Sequence, residues 1–347
     1  FKQKNKVSVI DSHGQMFSNR KMIAVTTTFA RKIASLDSSQ NIGLMLPASS
    51  AGIISNMAVL LKGKTTVNLN YTTSVNAVQG GIKNAEIKTV LTSKQFVKKL
   101  TAKGIDVEAM LKNVKVIYLE ELKAQLSKIT YVSALLATFI LPAKAYYSLF
   151  GKTVSVGDNA AILFSSGSEG TPKGIMLSHR NFIANIKQIS DVLRTRDDEV
   201  VMGSLPPFHS FGLTVTTLLP LIEGVPVVCH PDPTDVLNIS KAVSKYKATL
   251  LCATATFLRL YTRNKKVQPL MLSSLRTVVA GAERLPETVR AEFKAKFNKD
   301  IYEGYGATET TPVASVNIPD KLDPNDWRIQ QGNKPGTVGM PLPGCAF

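Results

Sequence analysis

Cysteine is nearly absent from this chain, and that scarcity removes several protein classes at once. The 347 residues hold three cysteines, Cys229, Cys252 and Cys345, with no C-x-x-C pair and no even-numbered framework. A disulfide-stapled fold and a cysteine-built zinc site are thereby excluded. Cys229 and Cys252 stand inside apolar runs and read as buried thiols of a cytosolic protein. Histidine is scarce as well: His13, His179, His209 and His230 are scattered without metal-ligand spacing. One uncharged apolar stretch, Ile129 to Ala143, stands apart, but it contains Pro142 and falls short of the roughly 20 apolar residues of a membrane span. Carboxylates are few, 25 Asp and Glu against 42 Lys and Arg, giving a net charge of +17. No basic patch is interleaved with stacking aromatics and no nucleic-acid motif is present, so nucleic acid is not an expected partner.

The charge is unevenly placed. Through Phe150 there are 20 Lys and Arg against 7 Asp and Glu, or +13 of the total. A basic field of this kind suits acidic partners and anionic lipid surfaces, although solvated lysines alone would give the same count. With 44% hydrophobic residues and a mean hydropathy of +0.05, the chain reads as folded and able to touch a membrane. Its length suggests two or three subdomains. It opens at Phe1 with neither methionine nor signal peptide, as expected of a piece of something longer.

Short β-branched runs alternate with amphipathic stretches, the pattern of α/β layers built on parallel sheets. Strands are expected at 41–46, 65–69, 88–92, 114–119, 160–165, 200–204, 225–229, 249–253 and 276–280. Helices are expected at 21–35, 49–61, 177–193, 211–222, 235–246 and 286–297. The 129–143 stretch fits an interfacial helix with Lys128 and Lys144 at its ends, or a buried core helix. A boundary near Gly151–Asp158 divides the chain into a first α/β subdomain, 1–157, and a second, 158–347, carrying the motifs below.

The most informative ten residues are Ser165, Ser166, Gly167, Ser168, Glu169, Gly170, Thr171, Pro172, Lys173 and Gly174. They follow the apolar run Ala160–Phe164 and precede a helix-like stretch from Ser178, a strand–loop–helix frame for an anion. Glycine lets backbone approach phosphate closely, hydroxyls add donors, and Lys173 adds a compact positive charge. Pro172 stands where a Walker A loop needs glycine, so that motif is rejected. Three clusters lie downstream. Pro206–Gly212 places His209 among aromatics, Val278–Glu283 ends a strand in a small-residue turn, and Glu303–Thr310 combines Tyr305 with two glycines and Glu309. A tyrosine ring against glycine backbone can cover a base, a threonine hydroxyl can donate to phosphate, and a carboxylate can hold Mg²⁺.

Together these motifs resemble the adenylate-forming enzymes, which include acyl-CoA synthetases, luciferases and peptide-synthetase adenylation domains. The phosphate loop, Gly304-Tyr305-Gly306-Ala307-Thr308-Glu309 and Lys334-Pro335-Gly336-Thr337-Val338-Gly339 match in order and spacing. The likeness is closer to the acyl–acyl-carrier-protein synthetase region of bacterial bifunctional proteins that re-acylate lysophosphatidylethanolamine, on residues 166–170, 208–214, 278–283 and 303–306. It is sharp from about Asp158 to Gly344 and vague before.

The resemblance implies the large N-terminal domain of the acyl-CoA synthetase-like fold, without the small C-terminal domain and without much of the β-barrel subdomain. It implies that Ser165 to Lys173 close over the β- and γ-phosphates of ATP, and that Gly281, Ala282 and Glu283 with Gly304, Tyr305 and Gly306 line the adenine site. Thr308 would contact the α-phosphate, Glu309 would bind Mg²⁺, and His209 would border the carboxylate. Lys173, Thr308, Glu309 and His209 are the implied catalytic set. A fatty acid would form acyl-AMP and pass to acyl carrier protein, or alternatively to CoA, for phospholipid re-acylation at the cytoplasmic face of the inner membrane. A non-catalytic nucleotide- or lipid-binding module is the reading from a different class. Because the family's mobile C-terminal domain carries a catalytic lysine, residues 1–347 alone are expected to hold nucleotide but to adenylate poorly.

Overall fold

A computed structural model describes residues 3, 5–165, 172–323, 325 and 327–346. The chain divides into two compact units, Phe1–Val9 with Gly14–Arg180 and Pro207–His209, and Ile10–His13 with Asn181–Pro206 and Ser210–Phe347.

The first unit is built on a six-stranded sheet. Its strands are β1 (Asn41–Met45), β2 (Thr65–Asn68), β3 (Thr89–Thr92), β4 (Lys115–Tyr118), β5 (Asn159–Ser165) and β6 (Lys173–Ser178), in spatial order β4-β3-β1-β2-β5-β6. The first five are parallel, and β6 runs antiparallel to β5. Strands β1 to β3 are buried almost throughout, which is why they read as continuous β-branched and apolar runs. Helices start where short polar side chains cap them. The Ser18 hydroxyl accepts from the Lys21 amide (3.4 Å) to begin α1 (Asn19–Leu36), and Ser49 accepts from Gly52 (3.0 Å) to begin α2 (Ser50–Leu61).

Two expectations change here. Between the phosphate loop and its helix stands β6, with Ser165 paired to Lys173 across the hairpin. The loop therefore joins two strands, and the helix α5 (His179–Leu193) starts after β6. Residues 128–150 form α3 (Lys128–Ile140) and α4 (Ala143–Phe150), separated at Leu141–Pro142, where proline cannot donate to the preceding turn. Only Ala134 and Thr138 of α3 are buried, which overturns the core-helix reading. Among the described residues no helix is long and apolar enough to cross a membrane.

The second unit carries β7 (Val201–Gly203), β8 (Val227–Cys229), β9 (Leu250–Ala253), β10 (Thr277–Ala280), β11 (Ile301–Gly306), β12 (Val313–Val316) and β13 (Met340–Pro341). Their order is β13-β12-β11-β10-β9-β7-β8. β7 to β11 are mutually parallel, and β12 and β13 are antiparallel additions. Its helices include α6 (Val236–Tyr246), α7 (Ala255–Arg263) and α8 (Glu287–Phe297). Asp235 and Thr254 cap α6 and α7 with their side chains. Cys229 and Cys252 are buried, and burial pushes both thiols up to about 12, so neither is a nucleophile at neutral pH.

Candidate nucleotide site

In a parallel sheet the carboxyl ends of neighbouring strands open on one edge, where α/β proteins bind ligands. In the second unit β10 runs into Gly281, Ala282 and Glu283, and its neighbour β11 contains Gly304, Tyr305 and Gly306. Ala280 is registered with Glu303, so the next step along both strands sets Gly281 beside Gly304. Thr308 and Glu309 follow in a short helical turn, Thr308–Thr310. Six of the sequence-predicted positions thus share one sheet edge with Thr308 and Glu309 directly beyond it.

The glycines here have packing reasons. A Cβ on Gly306 would lie 1.8 Å from the Pro312 carbonyl oxygen, so only glycine allows β11 to meet the returning chain. A Cβ on Gly281 would come within 3.1 Å of the Phe211 ring, which lies over this backbone. The Thr310 hydroxyl accepts from the Ala307 amide (2.9 Å) and also bonds the Pro312 carbonyl, clamping the turn that presents Thr308 and Glu309. Tyr305 is half exposed.

Glu283 is already engaged. Its carboxylate accepts the Thr256 amide (2.6 Å) and hydroxyl (3.1 Å) in the first turn of α7. Burial raises its pKa, but hydrogen bonds from Thr256 and Thr254, with Arg259 nearby, outweigh that and hold it below the ordinary value. Glu283 therefore fixes the Gly281–Ala282 turn, where Ala282 takes φ +70°. Glu309 is exposed and forms no cluster with other acidic, cysteine or histidine side chains; no metal-holding group of three occurs among the described residues. One hard carboxylate oxygen beside a nucleotide is the donor set magnesium commonly uses, since phosphates and water complete its shell. Glycine-floored strand ends, a half-exposed tyrosine and one exposed carboxylate are donor types that fit MgATP.

In the first unit, β5 delivers Ser165 to its carboxyl edge and β6 begins with the exposed Lys173. Ser166, Gly167, Ser168, Glu169, Gly170 and Thr171 lie outside the described residues. Strand β2 is parallel to β5, and the chain leaves its end at Tyr71. The Phe208 ring packs edge-on against Tyr71 (4.8 Å, 87°), and Tyr71 packs likewise on Phe96 (4.9 Å, 80°). His209 follows, its ring 4.7 Å from that of Phe208. The imidazole reaches the surface, yet the protein crowded around it disfavours the charged form and lowers its pKa. At neutral pH His209 is a neutral hydrogen-bonding group.

Sequence reasoning missed several supports. Glu303 is paired with Arg290 in a site where both side chains are largely buried, and Arg290 also donates to the Ile301 carbonyl (3.0 Å). Asn317, 1% exposed, donates to the Glu303 and Thr337 carbonyls (3.2 and 2.8 Å) and accepts from the Lys334 amide (2.8 Å). It ties the Gly-Thr-Val-Gly element to β11. Thr214 begins a π-helical turn, Thr214–Leu218, a deformation often found near functional sites, and its hydroxyl is buried without a partner among the described residues. None of these has a local sequence signal.

The chain thus has an α/β architecture with glycine-lined strand ends at one sheet edge. Comparison with known proteins gives the family: the chain belongs to the AMP-binding enzymes, whose match covers residues 2–347. It is similar to a long-chain-fatty-acid–CoA ligase of Bacillus subtilis, 26% identical over 326 residues, covering 89% of this chain and 56% of the relative. Its fold is like that of ATP-bound MatB from Rhodopseudomonas palustris (TM-score 0.76, 22% identity, 99% of this chain and 63% of that one). It is also like the anthranilate CoA ligase AuaEII in complex with anthranoyl-AMP (TM-score 0.77, 20% identity, 99% and 61%). The chain spans less than two thirds of the length of these relatives.

Proposed function

We propose that this chain is the nucleotide- and fatty-acid-binding part of an AMP-forming fatty acid ligase. The observation that carries the reading is the shared sheet edge of Gly281, Gly304, Tyr305 and Gly306 with Thr308 and Glu309 beside it, in a family whose similar members include long-chain-fatty-acid–CoA ligases. The fatty-acid carboxylate attacks the α-phosphorus of ATP, forming acyl-AMP and releasing pyrophosphate; a thiol then takes the acyl group and AMP leaves. Carboxylate is already ionised, so the first step needs positioning and charge neutralisation more than proton transfer.

In this reading Tyr305 and the glycine floor hold adenine, and Thr308 donates to the α-phosphate. The Ser165–Lys173 loop holds the outer phosphates, and neutral His209 orients the fatty-acid carboxylate by a hydrogen bond. Magnesium, held by Glu309, would neutralise phosphate charge. The proposed acceptor is acyl carrier protein, favoured by the motif resemblance and the basic first 150 residues; CoA is favoured by the names of the similar proteins. The work of the enzyme would be phospholipid re-acylation at the cytoplasmic face of the inner membrane. The test uses the protein at its full encoded length with ATP, fatty acid and either holo-acyl carrier protein or CoA. Acyl transfer to either thiol, lost in Lys173→Ala and Glu309→Ala, is the expected result. A protein that binds ATP but transfers nothing, in wild type and variants alike, would instead be a non-catalytic module.

A further inference from the structure

Helix α3 carries an apolar stripe on its outer side. Ile129, Val132, Leu136, Phe139 and Ile140 are 83, 50, 54, 57 and 78% exposed. At 100° per residue they fall within an arc of about 100°, and the buried Ala134 and Thr138 lie opposite, on the side packed against α1. Ser133 falls within the stripe's neighbourhood but turns its hydroxyl onto the Thr130 carbonyl (3.0 Å), so it adds little polarity. The stripe is continued on α4 by Tyr147 and Leu149, 39 and 66% exposed.

The inner side is well anchored. The Tyr146 hydroxyl is bonded to that of Thr27 (2.8 Å), and Lys62 Nζ donates to the Phe150 carbonyl (2.7 Å). The apolar stripe is therefore a fixed surface of a packed element.

The segment that carries it and the helix beneath it hold no carboxylate. From Leu122 to Gly157 there is no Asp or Glu, while Lys123, Lys128, Lys144 and Lys152 are all exposed. Helix α1, beneath α3, holds Arg20, Lys21, Arg31 and Lys32 and no carboxylate. Arg20 stacks over the Phe139 ring at 3.6 Å, with Nε and Nη1 buried and without a hydrogen-bond partner among the described residues. An apolar stripe flanked by basic side chains matches the boundary between acyl chains and anionic headgroups. The 13 residues of α3 extend about 20 Å, too short to span a bilayer core of about 30 Å, so the helix would lie in the plane.

We propose that the outer face of α3 and α4 docks on an anionic phospholipid bilayer. The proposal rests on the membrane contact in the ligase reading and names its surface, and its test needs neither ATP nor fatty acid. The protein is sedimented with vesicles of phosphatidylcholine alone or mixed equally with phosphatidylglycerol. Wild type binds the mixed vesicles at least about tenfold more tightly than the neutral ones, and added salt weakens the binding. Ile129→Gln/Leu136→Gln/Ile140→Gln lowers binding by about a hundredfold, with at least about 1 kcal/mol lost per apolar side chain. Lys123→Glu/Lys128→Glu/Lys144→Glu, confined to exposed positions, lowers it by at least about tenfold while leaving the thermal melt unchanged.

Undiminished vesicle binding by both variants overturns the proposal, as does a wild type that ignores vesicles. So does a wild-type dimer made monomeric by the glutamine variant without vesicle binding, which assigns the stripe to a second copy. Fatty-acid-dependent pyrophosphate exchange in detergent, measured on the same variants, reports separately on the ligase reading. Intact exchange beside lost docking leaves the two distinguishable.

Discussion

Three glycines at the candidate nucleotide edge differ sharply in what an added methyl would meet, and that difference can be measured. In Gly306→Ala the new Cβ lies 1.8 Å from the Pro312 carbonyl oxygen and 2.6 Å from its carbon, both backbone atoms. No rotamer change relieves this clash; the turn must move away from β11. Moving it breaks the hydrogen bonds that the Pro312 carbonyl accepts from the Ala307 amide (3.1 Å) and the Thr310 hydroxyl. Two such bonds contribute about 2 kcal/mol, and overpacking adds about 1–3 kcal/mol. Removing glycine's unfolded-state freedom returns about 0.4–1 kcal/mol, so a net loss of about 3 kcal/mol is expected.

In Gly304→Ala the nearest atom is the Ser315 carbonyl oxygen at 3.4 Å, an ordinary contact. That variant should fall within about 1 kcal/mol of wild type. Gly281→Ala, 3.1 Å from a Phe211 ring that can shift, should fall between the two. Urea unfolding gives the stabilities, and calorimetric titration with MgATP tests whether the displaced 305–309 segment loses nucleotide. Equal midpoints for Gly304→Ala and Gly306→Ala would refute the packing argument.

Further predictions follow from the same structure. Glu303→Gln removes the buried partner of the Arg290 guanidinium and leaves it only the exposed Glu287 (3.2 Å), which should cost about 2 kcal/mol by urea unfolding, while removing both charges with Arg290→Met/Glu303→Leu should recover much of it. His209 and His179 both have lowered pKa values through burial, Asp158 opposing the effect at His179. The unfolded chain takes up those protons first, so this contribution to stability is present above about pH 6.5 and is lost as pH falls. His209→Gln should shrink the drop in urea midpoint between about pH 7.5 and about pH 5.5; an unchanged drop would contradict it. Cys229 and Cys252 are buried while Cys345 is partly exposed, so a thiol reagent should modify one cysteine in the native protein and three in urea.

The expected strands at 41–46, 65–69, 88–92 and 249–253 were legible because buried parallel strands require β-branched and apolar runs. Strand β6 was not, because its half-exposed residues run without a break into α5 and only pairing with β5 marks them as extended. The β6 pairing also keeps Lys173 with the first unit's sheet, a long-range fact with no local trace. Gly281, Gly304, Tyr305 and Glu309 were readable as a constellation through motif spacing. Glu283 was readable as a candidate, but its tie to Thr256 across 27 positions was not. The Arg290–Glu303 pair and the Asn317 tether likewise depend on which strands become neighbours.

In the proposed function this sheet edge serves carboxylate activation by ATP. Exchange of labelled pyrophosphate into ATP, measured on the protein at its full encoded length, tests it most directly. Exchange should require both a long-chain fatty acid and Mg²⁺ and should be lost in Lys173→Ala and Glu309→Ala. Exchange that proceeds equally without fatty acid, or no exchange from a protein that binds ATP and fatty acid normally, would contradict it.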